Sequence, residues 1–274
     1  MWPSVPFVAG VIELTNDEWD LANDEWDLVE DLFDPQGRRG VPCRYPRRQM
    51  VEAMLFLART GCQWRYLPDH YPAWEAVWQQ WRRWRANGVW ARAMSRIARL
   101  IRSKHRSHVE PTMVMIDAQT VRGGRAGPTF QAAGGHGGRT IGTKRSILIE
   151  ILGLPLAVRA DPATPHDVRV GRELIADHLD KLPNVRAIVA DRGYRGLANL
   201  AARKHLTLDI KAPPKGTKGF TPLAPLYKVE HAFARLGRWR RLSRCYEGTE
   251  ASARAWLEVV CVAYLFVRLR AEPT

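Results

Sequence analysis

The sequence has few cysteines, and none has the spacing of a metal site. The four cysteines, Cys43, Cys62, Cys245 and Cys261, form no C-x-x-C pair, so we expect neither a disulfide framework nor a zinc site. The longest apolar run, residues 259–267, is far shorter than the roughly 20 residues that a membrane-spanning helix needs. A basic segment followed by an apolar one is also missing from the N-terminus, so we expect no signal peptide, no membrane association and a cytoplasmic location.

Acidic residues are scarce except in the first 34 positions. The 274 residues include 42 Lys and Arg against 28 Asp and Glu, which gives a net charge of +14. Residues 1–34, the acidic head, hold ten of these acids and no Lys or Arg. The basic balance of the remainder favours a polyanionic partner such as nucleic acid over an ordinary protein of basic composition. The acidic head could shield the basic body, pair with another subunit or form a solvated helix face.

The N-terminal third predicts helices. Residues 14–27 contain a tandem repeat, LTNDEWD then LANDEWD, whose seven-residue period is about two helical turns. We predict a helix over residues 16–33, with Thr15 and Glu18 as a possible capping box. Apolar residues at helical spacing predict three more helices, at residues 47–60, 73–87 and 89–102.

The third and fourth predicted helices are rich in Trp and Arg. Six of the eleven tryptophans lie between residues 64 and 90, and their helical spacing favours a packed core over stacking on bases. The helices also carry arginines suited to DNA phosphates, namely Arg82, Arg83, Arg85, Arg92, Arg96, Arg99 and Arg102. Such a module could contain a helix-turn-helix, and we place its boundary in the basic linker 103–110.

Two apolar runs in the second half of the chain each end in an aspartate. Residues 113–116 lead into Asp117, and residues 187–190 lead into Asp191. Short apolar runs bounded by turn residues predict buried strands. A carboxylate at the end of such a strand is costly unless a metal, an Arg or a hydrogen bond pairs with it. Taken singly, either aspartate could instead form a turn or cap a helix.

One of the other predicted elements carries a third candidate carboxylate. They are strands at residues 144–152, 154–160 and 206–210, and helices at 166–179, 197–204, 223–235 and 249–269. Glu230 lies on the helix at 223–235, beside its apolar face. If Asp117, Asp191 and Glu230 converge, their repulsion raises their pKa values unless cations neutralise them. Two Mg²⁺ ions suit carboxylate oxygens and can drive in-line displacement at a phosphodiester.

Other residues compete for this chemistry. Asp161 also ends an apolar strand, and Asp167 stands at a predicted helix N-cap. The glycine-rich, basic loop at residues 122–143 invites a phosphate-loop interpretation, but Ala133 and Arg139 occupy the Gly and Lys positions of that motif. We therefore reject nucleotide binding and keep a loop that tracks a DNA backbone as the alternative.

Several segments resemble DDE transposases of the bacterial insertion-sequence class, in the group named for insertion sequence five. In the first half the similarity rests on LTNDEWDLVEDLF, RTGCQWRYLP and YPAWEAVWQQWRRWRANGVW; in the second it rests on MIDAQTV, KRSILIEILGLPLAV, VADRGY and VEHAFARLGRWRRLSRCYE. The resemblance implies an α/β fold with a ribonuclease H-like mixed sheet flanked by helices over residues 111–274. It also implies an N-terminal all-α, helix-turn-helix-like DNA-binding domain over residues 1–110.

The resemblance also implies an activity. It is Mg²⁺-dependent cleavage and strand transfer at the terminal inverted repeats of the protein's own element, with Mn²⁺ as a substitute ion. Asp117, Asp191 and Glu230 take the three catalytic, metal-holding positions. The expected partners are double-stranded DNA and a second copy of the chain, because two element ends must be held together, with a location at the bacterial nucleoid.

We expect further residues to contact DNA. They are Arg82, Arg83, Arg85, Arg122, Arg192, Lys228, Arg238, Arg240 and Arg241, of which Arg192 could equally form a structural ion pair. The family's signature places Tyr, Arg and Lys where this chain has Leu223, Leu226 and Gly237, with Tyr227, Lys228 and Arg238 nearby as candidate substitutes. Two alternatives stay open: an inactive copy that binds DNA as a repressor, and a metal-dependent nuclease without strand transfer.

Overall fold

A mixed sheet forms the centre of the second half of the chain. The computed structural model describes residues 21–35, 44–105, 109–124, 132–134, 140–212 and 223–271. The strands in these ranges are β1 (Met113–Arg122), β2 (Ala132–Gly134), β3 (Thr140–Glu150), β4 (Pro155–Pro162), β5 (Ala187–Ala190) and β6 (Thr207–Ile210). β1 is central, with β3 antiparallel on one side and β5 parallel on the other.

The strand order explains how the chain builds this sheet. β3 also pairs antiparallel with β2 and β4, and β5 pairs parallel with β6. Tight turns can join antiparallel neighbours, whereas parallel strands need crossover connections, which helices supply here. The antiparallel strands β1 to β4 followed by the parallel strands β5 and β6, with helices packed on the faces, form the predicted ribonuclease H-like α/β fold, which is confirmed.

Helices precede, cover and follow the sheet. They are α1 (Asn23–Asp27), α2 (Glu30–Phe33), α3 (Arg47–Thr60), α4 (Trp74–Ala86), α5 (Val89–Lys104), α6 (Asp167–Leu179), α7 (Ala198–Arg203), α8 (Tyr227–Leu236) and α9 (Glu250–Arg270). Short 3₁₀ turns lie at Trp64–Tyr66, Arg192–Leu197 and Arg240–Leu242. No helix within the described ranges is long and apolar enough to cross a membrane.

The first predicted helix differs from the structure. Instead of one helix over residues 16–33, the described part contains α1 and α2, with a break at Val29, whose φ is −132°. The break lets Trp26, Val29 and Phe33 all pack into one core, so tertiary burial overrides helix propensity. The first repeat copy and the Thr15–Glu18 capping box lie outside the described residues.

The predicted loop at residues 122–143 is also partly wrong. β2 lies inside this range, and β3 begins at Thr140 because its pairing with β1 continues to Arg122 opposite Gly142. Backbone pairing with a neighbour, which a single sequence does not reveal, extends these strands past the apolar residues that predicted them.

One large core joins the N-terminal helices to the sheet. α9 packs against α3, α5 and β4, and Trp64, Trp81 and Trp256 form an aromatic cluster with ring centroids 5.5–5.8 Å apart. The expectation that tryptophans form core holds for Trp81, Trp84 and Trp90, which are buried, whereas Trp78 is 36% exposed. Because this core is continuous across residue 110, the domain division proposed there stays a prediction.

Candidate active site

Asp117 and Asp191 lie side by side on neighbouring strands. In the parallel pairing of β1 with β5, Met115 is opposite Val189, and each aspartate lies two residues further along its chain. Side chains alternate along a strand, and neighbouring strands are about 4.8 Å apart. The register therefore places both carboxylates on the same sheet face, the one that packs against α8 and α9.

Asp117 does not end its strand, which corrects the sequence-based expectation. β1 continues for five residues to Arg122, with Asp117 opposite Ile147 of β3. β5, by contrast, stops at Ala190, so the sheet beside Asp117 is open on the β5 side. This opening leaves room for polar groups next to a strand that is otherwise buried.

Asp191 also forms the turn that follows its strand. It is the N-cap of the 3₁₀ turn Arg192–Leu197, and its Oδ1 accepts a hydrogen bond of 2.8 Å from the Gly193 N–H. The side chain is exposed. The turn-forming interpretation of this aspartate is therefore correct, and it holds the carboxylate in place at the open edge of the site.

Glu230 reaches the site from α8. This helix starts at Tyr227 rather than at residue 223, and it packs Val229 and Phe233 into the large core that contains Met115. Glu230 lies in the first turn, is exposed, and forms no ion pair with another described residue. It is thus an unpaired carboxylate on the helix that covers the Asp117 face.

The pKa of Asp117 gives more direct evidence than the sheet topology that these carboxylates lie close together. The pKa of Asp117, which is half-buried, is raised to about 7. Burial is the main cause, and repulsion from Asp191, Asp167 and Glu230 adds to it, while a 2.7 Å hydrogen bond from the Ala118 N–H opposes it. The three predicted carboxylates therefore share one local field, together with a fourth.

That fourth carboxylate, Asp167, is partly neutralised. It is the first residue of α6, where His166 rather than Asp167 is the N-cap: the His166 side chain accepts from the Val168 N–H at 3.3 Å. The Asp167 carboxylate instead pairs with Lys144 Nζ at 2.5 Å. Asp161, the other competitor, lies in an ion pair with Arg159 at 2.8 Å.

Tyr194 is a neighbour of the site that the sequence did not single out. Its ring is buried, and its hydroxyl has no hydrogen-bond partner among the described residues. The pKa of Tyr194 is raised by burial, and then by Asp117, Asp167 and Asp191. A side chain at Gly171 would come within 2.8 Å of this ring, so glycine there allows α6 to approach closely. The signal was the position of Tyr194 three residues after Asp191, in VADRGY.

The donor set fits a hard divalent cation in chemistry but not in spacing. Carboxylate oxygens are the ligands that Mg²⁺ prefers, and a cation would relieve the repulsion at Asp117. Within the described ranges, however, no group of three or more His, Cys, Asp or Glu side chains is arranged to hold a metal ion. The carboxylates thus lie within range of one another's charge without forming a closed ligand set.

The cations predicted to contact DNA fall into two groups. Six are exposed: Arg82, Arg83, Arg122, Arg192, Arg238 and Arg240. The other three are less exposed: Arg241 pairs with Glu247 at 2.7 Å and lies over Trp256, Lys228 donates to the Ile151 carbonyl at 2.5 Å, and Arg85 lies over Trp81. The exposed Arg82 also lies over a ring, that of Trp78.

The arginines of α5 are mostly used inside the protein. Arg96 pairs with Asp31, Arg99 with Glu110 and Arg102 with Glu150. Arg102 and Glu150 are both buried. This helix face, which the sequence suggested for DNA phosphates, therefore largely stabilises the fold. Arg92, whose guanidinium donates to the Asn87 carbonyl at 2.6 Å, remains exposed.

Comparisons with known proteins were made for the whole chain. A family model described as "Putative transposase of IS4/5 family" matches residues 21–94, and one described as "Transposase DDE domain" matches residues 108–266. The second match spans more than half of the chain and contains Asp117, Asp161, Asp167, Asp191 and Glu230. No curated protein and no solved structure matches the sequence.

Proposed function

Since the chain belongs to the DDE transposase family, we propose that it cleaves and joins DNA strands at the terminal inverted repeats of its own mobile element. The observation that supports this proposal is that Asp191 and Glu230 lie close enough to Asp117 to raise its pKa. Asp117 lies in β1, Asp191 directly follows the parallel strand β5, and Glu230 lies on the covering helix.

Asp117, Asp191 and Glu230 would hold the divalent metal that DDE transposases use, with Mg²⁺ as the proposed ion and Mn²⁺ as a substitute. A divalent ion held there would supply charge neutralisation and Lewis-acid activation for phosphodiester chemistry. The chain's own contribution is position. The Gly193 N–H orients Asp191, and Lys144 neutralises Asp167 so that it competes less for cations.

Exposed cations around this edge would hold the DNA. Arg192 directly follows Asp191, and Arg238 and Arg240 follow the helix that carries Glu230. Charge-assisted contacts to phosphates position a duplex without reading its sequence. We assign Arg122, Lys228 and the arginines of α4 (Arg82, Arg83 and Arg85) to the same task over a longer stretch. A homodimer at the nucleoid, holding both element ends, completes the proposal.

The test is a nicking assay on DNA that carries the element's terminal repeats. We expect strand cleavage at the repeat ends that requires Mg²⁺ or Mn²⁺. In Asp117→Asn, cleavage should fall by about three orders of magnitude or more, because one metal ligand and its charge are lost. Asp180→Asn is the matched control. It removes one exposed carboxylate at the far end of α6, about 20 Å along the helix from Asp167, and should leave cleavage unchanged.

A second candidate function, a DNA-binding repressor, is favoured by one observation. The signature positions for Arg and Lys hold Leu226, which is buried, and Gly237, which ends α8. Binding to the repeats without cleavage by the wild type would establish this function. Cleavage that ignores the repeats would instead indicate a nuclease without strand transfer.

A further inference from the structure

A cleft lies between the N-terminal helices and the outer edge of the sheet. It encloses about 450 Å³, a volume typical of ligand-binding sites. Its walls are the first turn of α5, the edge strand β4, the C-terminal end of α6 and the first turns of α9. β4 is separated from β1 by β3, so the cleft is distinct from the carboxylate site.

Cations outnumber carboxylates in the lining of this cleft. Arg85 and Arg92 come from the N-terminal helices, whereas Lys181 and Arg254 come from the elements packed on the sheet. Arg92, Lys181 and Arg254 are exposed. The one carboxylate in the lining is Glu258, 3.5 Å from Arg254. The cleft therefore carries a surplus of positive charge that ion pairs among its lining residues do not cancel.

Helix dipoles add to this positive charge. Gly88, the N-cap of α5, lines the cleft and offers no side-chain cap to the first N–H groups of that helix. Ala251, in the first turn of α9, lines it too. Helix N-termini carry partial positive charge and favour phosphate. The first turns of two helices of 16 and 21 residues thus line a cleft that is already cationic, against one helix C-terminus there, that of α6.

We propose that this cleft binds a backbone phosphate of duplex DNA. The inference rests on the proposed function, which supplies DNA as the partner, and goes beyond it by assigning Lys181 and Arg254 to DNA contact. Arg85 lies on α4, which also carries the exposed Arg82 and Arg83, so the cleft continues a basic surface. A DNA strand bound in the cleft would contact both the N-terminal helices and the sheet region. These contacts would fix the position of the terminal repeat relative to the active site.

The experiment measures binding of a labelled terminal-repeat duplex by fluorescence anisotropy in EDTA, where no cleavage occurs. Arg92→Ala/Arg254→Ala is compared with Arg203→Ala/Lys204→Ala. The control pair removes two exposed cations from the end of α7, which packs on β6 at the opposite edge of the sheet. We expect the cleft variant to bind about tenfold or more weakly, with a salt slope smaller by about 1–2.

A gain of affinity provides an independent arm. At pH 8, above the pKa of about 7 that burial gives Glu258, Glu258→Gln removes the negative charge of the cleft and frees Arg254, so it should bind DNA several-fold more tightly than the wild type. Glu75→Gln, an exposed carboxylate on α4, is the matched control and should change little. Loss of affinity in Glu258→Gln would contradict the proposal.

Two outcomes would overturn it. One is equal loss of affinity in the cleft and control pairs, which makes the effect one of net charge. The other is a combination of two results: pyrophosphate raises the melting temperature of the wild type but not of the cleft variant, and the cleft variant binds DNA as well as the control pair does. This combination would make the cleft a site for a free anion. Binding is measured without metal and so does not depend on cleavage. If the wild type never cleaves DNA, the proposed activity is refuted, but the measured difference in DNA binding between the cleft and control variants still tests the cleft proposal.

Discussion

Glu150 and Asp117 are carboxylates of neighbouring strands in one sheet, and the fold treats them in opposite ways. Glu150 is fully buried, pairs with Arg102, and accepts hydrogen bonds from the Leu152 and Leu154 N–H groups at 2.8 and 3.1 Å. Asp117 accepts one bond from its neighbouring amide and otherwise feels three carboxylates. The charge of Glu150 is thus neutralised by Arg102 and by two backbone N–H groups, as expected of a carboxylate with a structural role. Like charges left together destabilise a fold. The carboxylates around Asp117 therefore point to a cation as their partner.

The same contrast separates whole regions. Glu25 of the acidic head pairs with Arg270 of α9 at 2.6 Å, and Asp31 pairs with Arg96 of α5. These two head carboxylates are therefore neutralised by arginines of the basic remainder. In the part of the chain that the structure describes, pairing is incomplete at both proposed sites, the carboxylates around Asp117 and the cationic cleft.

The largest effect on stability should come from breaking the fully paired carboxylate. Glu150→Gln leaves the Arg102 charge buried without its partner, which should lower the free energy of unfolding by about 3–5 kcal/mol. Urea denaturation followed by circular dichroism measures it.

The matched control is Glu110→Gln, which breaks the Arg99–Glu110 pair of 2.9 Å, in which Arg99 is 52% exposed. This change should cost less than about 1 kcal/mol. Equal costs for the two substitutions would show that burial does not make the Glu150–Arg102 pair more important for stability than an exposed pair.

An intermediate effect is expected at Glu258, and it depends on pH. Burial raises the pKa of Glu258 to about 7, so the folded protein keeps this proton while the unfolded chain releases it near pH 4. Stability should therefore fall as pH rises from about 4 through 7. Glu258→Gln should match the wild type near pH 4 and be more stable by up to about 3 kcal/mol at pH 8. Thermal melts of both proteins across this range test it, and a constant difference at all pH values would be contrary.

The smallest expected effects on stability are those of alanine substitutions at two adjacent arginines, Arg240 and Arg241, whose roles should differ. Arg241 pairs with Glu247 and lies 4.6 Å from the Trp256 ring centroid, so Arg241→Ala should cost about 1–2 kcal/mol of stability. Arg240 is exposed, and alanine keeps the Cβ that packs near Gly61. Arg240→Ala should change stability by less than about 0.5 kcal/mol but weaken DNA binding several-fold. Denaturation and anisotropy on both variants decide it, and a reversed pattern would show that Arg241 is the DNA contact.

The sequence predicted best the elements whose ends are marked locally. α3 was predicted at both ends, Arg47 and Thr60, because Pro46 precedes it and Gly61, with φ +67°, follows it. β5 was predicted at its first residue and to within one residue at its end, since a run of four apolar residues stops at an aspartate that forms the next turn. Where no local residue marks the boundary, as in β1 and in the α1–α2 break, neighbouring elements set it.

By itself the sequence determined the two aspartates and the basic surplus, because apolar periodicity and charge are local properties of the chain, and the resemblance of its motifs to a transposase family implied the fold class. Only the tertiary structure decided what each charge does. Register placed Asp117 beside Asp191 within a strand rather than at its end, and packing turned Arg102 and Arg241 into structural residues. It also brought Arg92, Lys181 and Arg254 to one cleft. The physical reason is that a charge acts through whatever lies within a few ångströms, and in a folded chain those neighbours come from distant positions.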